Sequence, residues 1–394
     1  MKKEFFIVGL LLAGVMQLNA QTGLIETVNE TGLGTQNGAA QSASAATGST
    51  FVGYQAGFAN TGIAPGTGAK NSFVGSQAGR SNTTGTQNTY VGFNSGYVNT
   101  TGNNNVFIGG YTGYNSTGGG NTFTGYYSGY NTSSEYNSFY GFGSGRYNTT
   151  GTQNVFIGAN SGFNNVSGTG NTFSGTNTGI NNTTGFENTY LGFNAGYNNK
   201  TSGMNTFVGT RTGFNTLGSG NVFLGHEAGT NETGSNKFYL AVGTNTLMYG
   251  DFATGKIAIG GATSFPTSAG SVNVSNYKLF VKGGILTEEV RIQLATGWAD
   301  YVFADNYKLP SLNEVEQFIA KNGHLPNVPS AKQVKEDGIE LGQMANIQQE
   351  KIEELTLYAI EQNKQIETQK SQLEQQQKEI DELKAAVKSL VGKQ

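Results

Sequence analysis

The sequence predicts a mainly β protein: a β-solenoid (β-roll) of eleven coils of 16–17 residues, a small α+β connector and a C-terminal α-helical coiled coil, assembled as a homotrimer. Three observations lead there. One Gly-anchored motif recurs eleven times between residues 49 and 235. Gly accounts for 60 of 394 residues but Pro for only 5, with no three-residue Gly period, so the glycines punctuate turns rather than build collagen. Only 12% of residues are charged, and 32 of these 49 lie beyond position 276, where the material changes.

Residues 1–20 read as a signal peptide: Lys2 and Lys3, an apolar run from Phe5 to Val15, and Ala20 at the expected cut. The run is shorter than the ~20 apolar residues that cross a bilayer. The mature chain is expected to start at Gln21, to be exported to the cell surface or extracellular space, and to contain no transmembrane segment. Residues 21–48 read as a low-complexity linker.

The repeat, 49–235, has the form Asn-x-aromatic-x-Gly-x-x-small-Gly. Its first Gly stands at Gly53, Gly75, Gly92, Gly109, Gly125, Gly141, Gly158, Gly175, Gly192, Gly209 and Gly225, and the second follows four residues later. Two before the first Gly is always Phe or Tyr. Four before it is Asn in ten of the eleven copies, with Ser49 the exception. After a first interval of 22, which holds Pro65, the step is 16 or 17. The Asn after the second Gly sits two residues on in 16-residue coils (Asn115, Asn131, Asn215) and three on in 17-residue coils (Asn82, Asn99, Asn148).

Each coil is expected to hold two short strands, around Asn-Thr-Phe-Val and around small-Gly-aromatic, joined by turns in which Asn and Gly accept positive φ. Stacking would set aromatic over aromatic and Asn over Asn at ~4.8 Å, giving a rod of roughly 50 Å. So thin a roll has little interior, so copies are expected to bury a second face against one another.

Composition excludes much chemistry. With no Cys there are no disulfides or thiolate sites, and a net charge of −3 offers no basic surface for nucleic acid. Residues 51–230 contain no Asp and only Glu135, Glu187 and Glu227, too few for calcium-binding repeats or a polysaccharide-cleaving acid pair. Thr83-Thr84, Thr100-Thr101, Thr149-Thr150 and Thr183-Thr184 lie in expected turns rather than on an ice-binding face. His226 reads as a surface residue and His324 as a capping or packing residue. No enzyme activity, catalytic residue, cofactor or metal is expected. The candidate contact residues are aromatics just after the first Gly: Tyr54, Phe93, Tyr126, Phe142 and Phe193. They are read either as exposed contacts, for instance for sugar stacking on surface glycans or contact with host or matrix proteins, or as packing between the rolls of an oligomer.

In the connector, 236–345, Lys256–Gly260 and Tyr277–Val281 alternate like strands. Ser311 and Ser330 open helices that end at Gly323 and near Gly338. Trp298, the one Trp, is expected as a core or interface anchor. In the stalk, 346–394, apolar residues recur every seven: Ile352, Ala359, Ile366, Leu373, Ile380 and Val387 at a. Leu355, Gln362, Gln369, Gln376, Leu383 and Leu390 stand at d. Three successive Gln at d favour a trimer over the alternative dimer, because polar core layers fix strand number and register.

The coils Asn205-Thr206-Phe207-Val208-Gly209 and Asn154-Val155-Phe156-Ile157-Gly158 resemble the left-handed β-roll heads of trimeric autotransporter adhesins, over about residues 49–235. That resemblance implies a parallel trimer with an adhesive, lectin-like head and a stalk behind it. Gly297-Trp298-Ala299-Asp300-Tyr301-Val302-Phe303, Gly323-His324-Leu325-Pro326 and Lys351–Tyr358 are similar to the C-terminal part of tail-fibre-like surface proteins. This implies an alternative role as a tail-fibre-like component of a secreted attachment or injection apparatus.

Overall fold

The computed structural model describes residues 25–27, 30–33, 48–61, 66–294 and 297–392; the expected leader and the 62–65 part of the first-coil insertion lie outside the described residues. The chain divides into two compact units. The first runs to Phe265 and takes in Tyr277–Gly284; the second comprises Pro266–Asn276 and Ile285 onward.

The first unit is the solenoid. β1 (Ile25–Thr27) and β2 (Glu30–Leu33) pair antiparallel, and β2 pairs in parallel with β3 (Ser49–Val52). The sheet therefore starts inside the stretch read as a linker. Ten three-residue strands follow, β4 to β13: Ser72–Val74, Thr89–Val91, Val106–Ile108, Thr122–Thr124, Ser138–Tyr140, Val155–Ile157, Thr172–Ser174, Thr189–Leu191, Thr206–Val208 and Val222–Leu224. Neighbours from β3 to β13 are parallel and in register, so eleven strands close ten full turns.

Strand alternation sends the central aromatic inward and its two neighbours outward. The eleven inner rings, Phe51 to Phe223, are buried in one column. From Phe73 onward successive centroids lie 4.7–4.9 Å apart with the rings nearly parallel. The strand spacing thus sets an offset stack, worth about 0.5–1.5 kcal/mol per pair beyond burial. The two motif glycines are dictated by this packing. At Gly158 (φ 123°) a Cβ would lie 2.5 Å from the Gly175 carbonyl oxygen of the next coil; at Gly162 (φ 59°) it would lie 2.4 Å from the Phe156 ring.

Each coil has one strand, not the expected two. The small-Gly-aromatic segment is a run of tight turns: Arg80 N–H donates to Gln77 O (3.3 Å) and Asn82 N–H to Gly79 O (3.0 Å). Gln77 and Gly79 sit at φ 61° and 57°, and such left-handed residues curl the chain out of extension. The turns still ladder from coil to coil, as in Gly79 N–H to Ser95 O (2.8 Å).

The motif asparagines stack Asn over Asn, as the sequence led one to expect. They are buried, and each side chain bridges to the next coil. Asn154 Oδ1 accepts Asn171 N–H (3.0 Å), and Asn154 Nδ2 donates to Gly168 O (2.8 Å). Ser49, the exception in the motif, does the same work at the start of the ladder, where its Oγ accepts Asn71 N–H (3.1 Å). Asn221 Oδ1 ends the ladder by accepting Lys237 N–H (2.8 Å). A second inner rank lies three residues after the second Gly. Long coils place Asn there (Asn82, Asn148), short coils Ser116, Thr132 or Thr216, all buried. The short coils' Asn115, Asn131 and Asn215 stand outside that rank, linked along the surface by Asn115 Nδ2 to Asn131 Oδ1 (2.7 Å) and by Asn215 Nδ2 to Asn231 Oδ1 (2.8 Å). The threonine turns carry their own ladder, with the Thr83 hydroxyl donating to Thr100 O (3.0 Å).

The sheet runs past residue 235, where the sequence placed a boundary. β14 (Lys237–Val242) pairs in parallel with β13. Antiparallel β15 (Asn245–Asp251) and β16 (Lys256–Ile259) follow, and β19 (Leu279–Val281) pairs with β16. The expected strands at 256–260 and 277–281 are thus the last two of the solenoid's sheet.

In the second unit β17 (Ser268–Ala269) and β18 (Val272–Asn273) form a small hairpin. A 3₁₀ turn, Ala299–Phe303, precedes α1 (Leu312–Asn322) and α2 (Ala331–Asp337). Both helices have the expected capping boxes, from Ser311 and Ser330, and α1 ends on left-handed Gly323. Trp298 is not in the core: it is 46% exposed, and Ala299 and Val302 are buried instead. His324 packs edge-on against Phe318, as its packing role requires. The long helix α3 spans Leu341–Val391, starting five residues before the expected boundary.

The 3₁₀ turn and the chain after it pack on the first third of α3. Tyr301 OH donates to Glu350, Tyr307 OH to Glu354, and Asn327 Nδ2 to Glu350 Oε1 (3.1 Å). Lys351 Nζ pairs with Glu350 (2.7 Å) and Glu354 (2.9 Å). In the heptad frame the buried Glu350, Glu353 and Glu354 occupy f, b and c, opposite a and d. The a and d side chains Ile352, Leu355, Ile366, Leu373, Ile380, Leu383, Val387 and Leu390 are 45–72% exposed. No helix among the described residues is long and apolar enough to cross a membrane.

Candidate aromatic binding face

Three outer positions of each coil build the site: the first and second residues after the first Gly, and the residue after the second Gly. The five residues singled out in the sequence occupy the first, and all are 45–52% exposed: Tyr54, Phe93, Tyr126, Phe142 and Phe193. The fold brings three of them into one cluster. Phe93 meets Tyr111 edge-on (5.2 Å), Tyr111 meets Tyr126 (5.9 Å), and Tyr126 stacks on Phe142 (6.0 Å). Tyr54 and Phe193 stand apart from this cluster.

The position after the second Gly was missed, although its signal is in the sequence. It is aromatic or Arg in nine of eleven coils, with Ile180 and Thr230 the exceptions. Coil stacking turns it into a column. Arg80 lies over Phe58 (5.4 Å) and Tyr97 (5.5 Å), then Tyr97, Tyr114 and Tyr130 stack at 4.9 and 5.3 Å with interplanar angles of 8°. Arg146 continues the column over Tyr130 (5.8 Å) and Phe163 (5.6 Å). Tyr127, against both Tyr126 (4.3 Å) and Tyr130 (5.2 Å), joins the column to the Phe93–Phe142 cluster.

The platform is rigid for a backbone reason. Tyr111 and Tyr127 lie at φ 56° and 59°, a region L side chains rarely adopt, because the second residue after the first Gly turns left-handed in all eleven coils. The inner ladders hold it there. The hydrogen bond from Tyr126 to Tyr127 raises the Tyr126 hydroxyl above its usual pKa, and burial beside neighbouring phenols does the same for Tyr114. Both remain neutral hydroxyls at physiological pH. The face can therefore offer flat apolar rings, phenolic hydrogen bonds and guanidinium charge, but no acid–base pair. Glu135 and Glu187 are exposed, and Glu227 pairs with Arg211 (2.9 Å). Among the described residues no three His, Cys, Asp or Glu side chains cluster to hold a metal ion.

No protein family matches this chain, and no curated protein or solved structure does.

Proposed function

We propose that this is an exported, non-enzymatic fibrous protein of the cell surface or extracellular space, a homotrimer that adheres or gives structure through its repetitive β-roll. The observation that carries the reading is the contiguous outward aromatic platform on a roll whose interior is already closed by aromatic and Asn ladders. Rings not needed inside are free for contact, and stacking repeats them in register, so weak contacts sum through avidity. The role agrees with that of the adhesins whose β-roll heads the coils resemble.

Two exposed apolar tracts support self-association. Outward strand residues form a rank along the sheet that includes Val74, Val91, Ile108, Ile157 and Leu191. On α3 the a/d seam is open while the opposite face is covered near the helix start, the arrangement of a stalk helix that meets copies of itself. Gln362, Gln369 and Gln376 at d favour three strands.

The test has two parts. Light scattering of the full secreted chain should give three times the chain mass. Cells displaying a chain with Tyr54, Phe93, Tyr126, Phe142 and Phe193 all changed to Ser should attach to glycan- or matrix-coated surfaces at least tenfold less than cells displaying the unaltered chain. A well-folded monomer overturns the trimer, and undiminished attachment overturns the adhesive role of the face.

A further inference from the structure

Three arginines stand on the outer face of the repeats, all over aromatic rings, but only two make side-chain hydrogen bonds or ion pairs among the described residues. Arg211 lies over Phe214 (4.7 Å), and its Nε pairs with Glu227 Oε1 (2.9 Å). Arg80 Nε donates to Gln55 Oε1 (2.9 Å) and its Nη1 to the Tyr97 hydroxyl (3.1 Å). Arg146 differs. Its guanidinium lies over Tyr127 (4.3 Å), Tyr147 (5.4 Å), Phe163 (5.6 Å) and Tyr130 (5.8 Å). It has no side-chain hydrogen bond or ion pair among the described residues, and its Nε is shut off from solvent without an acceptor. Ring faces offset part of the cost of a desolvated cation, but they accept no in-plane N–H. The complement this group lacks is an oxyanion; with Nε shut off from solvent, a planar carboxylate reaches the Nη1–Nη2 edge of the guanidinium and fits it in bidentate fashion.

The surroundings narrow the anion. Tyr126 and Phe142 present two exposed rings, their planes 12° from parallel and their centroids 6.0 Å apart, on the same coils as Tyr127 and Arg146. Flat rings with phenolic hydroxyls beside them suit the C–H face and hydroxyl edge of a pyranose. We propose that Arg146, Tyr126, Tyr127 and Phe142 form a binding site for a uronic-acid polysaccharide, with the sugar ring on Tyr126 and Phe142 and its carboxylate on Arg146. The proposal rests on the adhesive reading of this face and names its ligand class.

The test titrates the full secreted chain with polygalacturonate and with its fully methyl-esterified form, at fixed ionic strength. Polygalacturonate should bind, and esterification should weaken binding at least tenfold. Arg146→Gln should weaken polygalacturonate at least tenfold without changing binding of the ester. Arg146→Lys, which keeps the charge but loses the fork, should fall between. Lys200→Gln, an exposed cation on the threonine turns, should stay within twofold, and Phe142→Ala should weaken both polymers. Unchanged far-ultraviolet circular dichroism and melting show that Arg146→Gln has kept its coils; should it unfold, the esterification arm and the Arg146→Lys variant decide. Equal binding of acid and ester, with Phe142→Ala still weakening both, overturns acid recognition and leaves adhesion standing. Polyglutamate or dextran sulfate bound as tightly, and as dependently on Arg146, overturns the sugar in favour of any polyanion. Binding of neither polymer overturns the site.

Discussion

The solenoid and the long helix satisfy their side chains in opposite ways. In the solenoid the inner rings, the motif asparagines and the first Gly of each coil have their partners one coil away in the same chain: ring on ring, Asn on backbone, Gly against carbonyl. In α3 the repeated a and d residues stand exposed among the described residues, while the charged b, c and f residues near its start are covered. Repetition at 16–17 residues is self-sufficient because the next copy stacks directly above. Repetition at seven residues is not, because one helix cannot cover its own stripe. The contrast teaches that periodicity alone does not say whether a surface closes internally.

The largest effect is expected where the contrast is sharpest. Changing Ile366 and Leu373 together to Glu should abolish oligomers by light scattering at micromolar concentration, while the β signal in circular dichroism persists. Oligomers that survive would place the assembly surface on the roll instead. Within the solenoid, Gly162→Ala puts a Cβ 2.4 Å from the Phe156 ring at a position of φ 59°. It should cost about 3–4 kcal/mol, as overpacking and left-handed strain add. Chemical denaturation measures it, and a loss below 1 kcal/mol would mean that the coils breathe. Asn154→Ala removes the acceptor for Asn171 N–H and the donor for Gly168 O, both inside, at about 2–3 kcal/mol. The exposed Asn115→Ala should stay within about 0.5 kcal/mol. Equal losses at the two sites would refute the inner-ladder account.

The collar on α3 should respond to pH at both ends. Burial would raise the Glu350 carboxyl, but hydrogen bonds from Lys351, Tyr301 and Asn327 overcome it and hold the pKa below the usual range. That stabilisation is present above the unfolded pKa of about 4.3 and is lost as pH falls through the lower folded value. The hydrogen bond to Glu350 pushes Tyr301 up to about 12, so its contribution is intact below about 10 and is lost as pH rises toward 12. Fluorescence of Trp298, next to the 3₁₀ turn, should be flat between these windows and change in both. A transition near pH 7 would mean another group governs the collar.

The smallest effect concerns two inner rings that carry hydroxyls. Tyr90 OH approaches Asn105 and Tyr190 OH approaches Asn205, neither in good hydrogen-bond geometry, and burial raises both pKa values far above the ordinary phenol range. Tyr90→Phe, matching the column's other members, should be neutral or stabilising by up to about 1 kcal/mol in thermal melts. A clear destabilisation would show that the hydroxyl is held after all.

Much of the architecture could be read from residue spacing. The Phe/Tyr column, the two glycines, the Ser311 and Ser330 caps and the heptad each depend on neighbours within one coil or one helical turn. What failed depended on the third dimension. The stack of Asn over Asn was legible, but not that its side chains turn inward to bond the next coil's backbone, and only that bonding makes Ser49 cease to be an exception. The second strand was wrongly expected because its small-Gly-aromatic pattern also suits a left-handed turn. The candidate face was half legible: Phe93, Tyr126 and Phe142 were named, whereas Tyr97, Tyr114, Tyr127, Tyr130 and Arg146 were not. Tyr97, Tyr114 and Tyr130 follow one another at steps of 17 and 16 positions and Arg146 lies 19 from Tyr127, yet winding brings these neighbours to 4.9, 5.3 and 4.3 Å.

Period, coil length and the residues that must lie inside follow from local sterics, since only Gly fits against a carbonyl one coil away and only alternation sends a ring inward. Which outer residues meet, which arginine keeps an unpaired charge, and which side of α3 is covered arise from contacts between segments far apart along the chain. No local rule encodes those contacts, because each depends on the registers of several coils, or on a loop and a helix, at once.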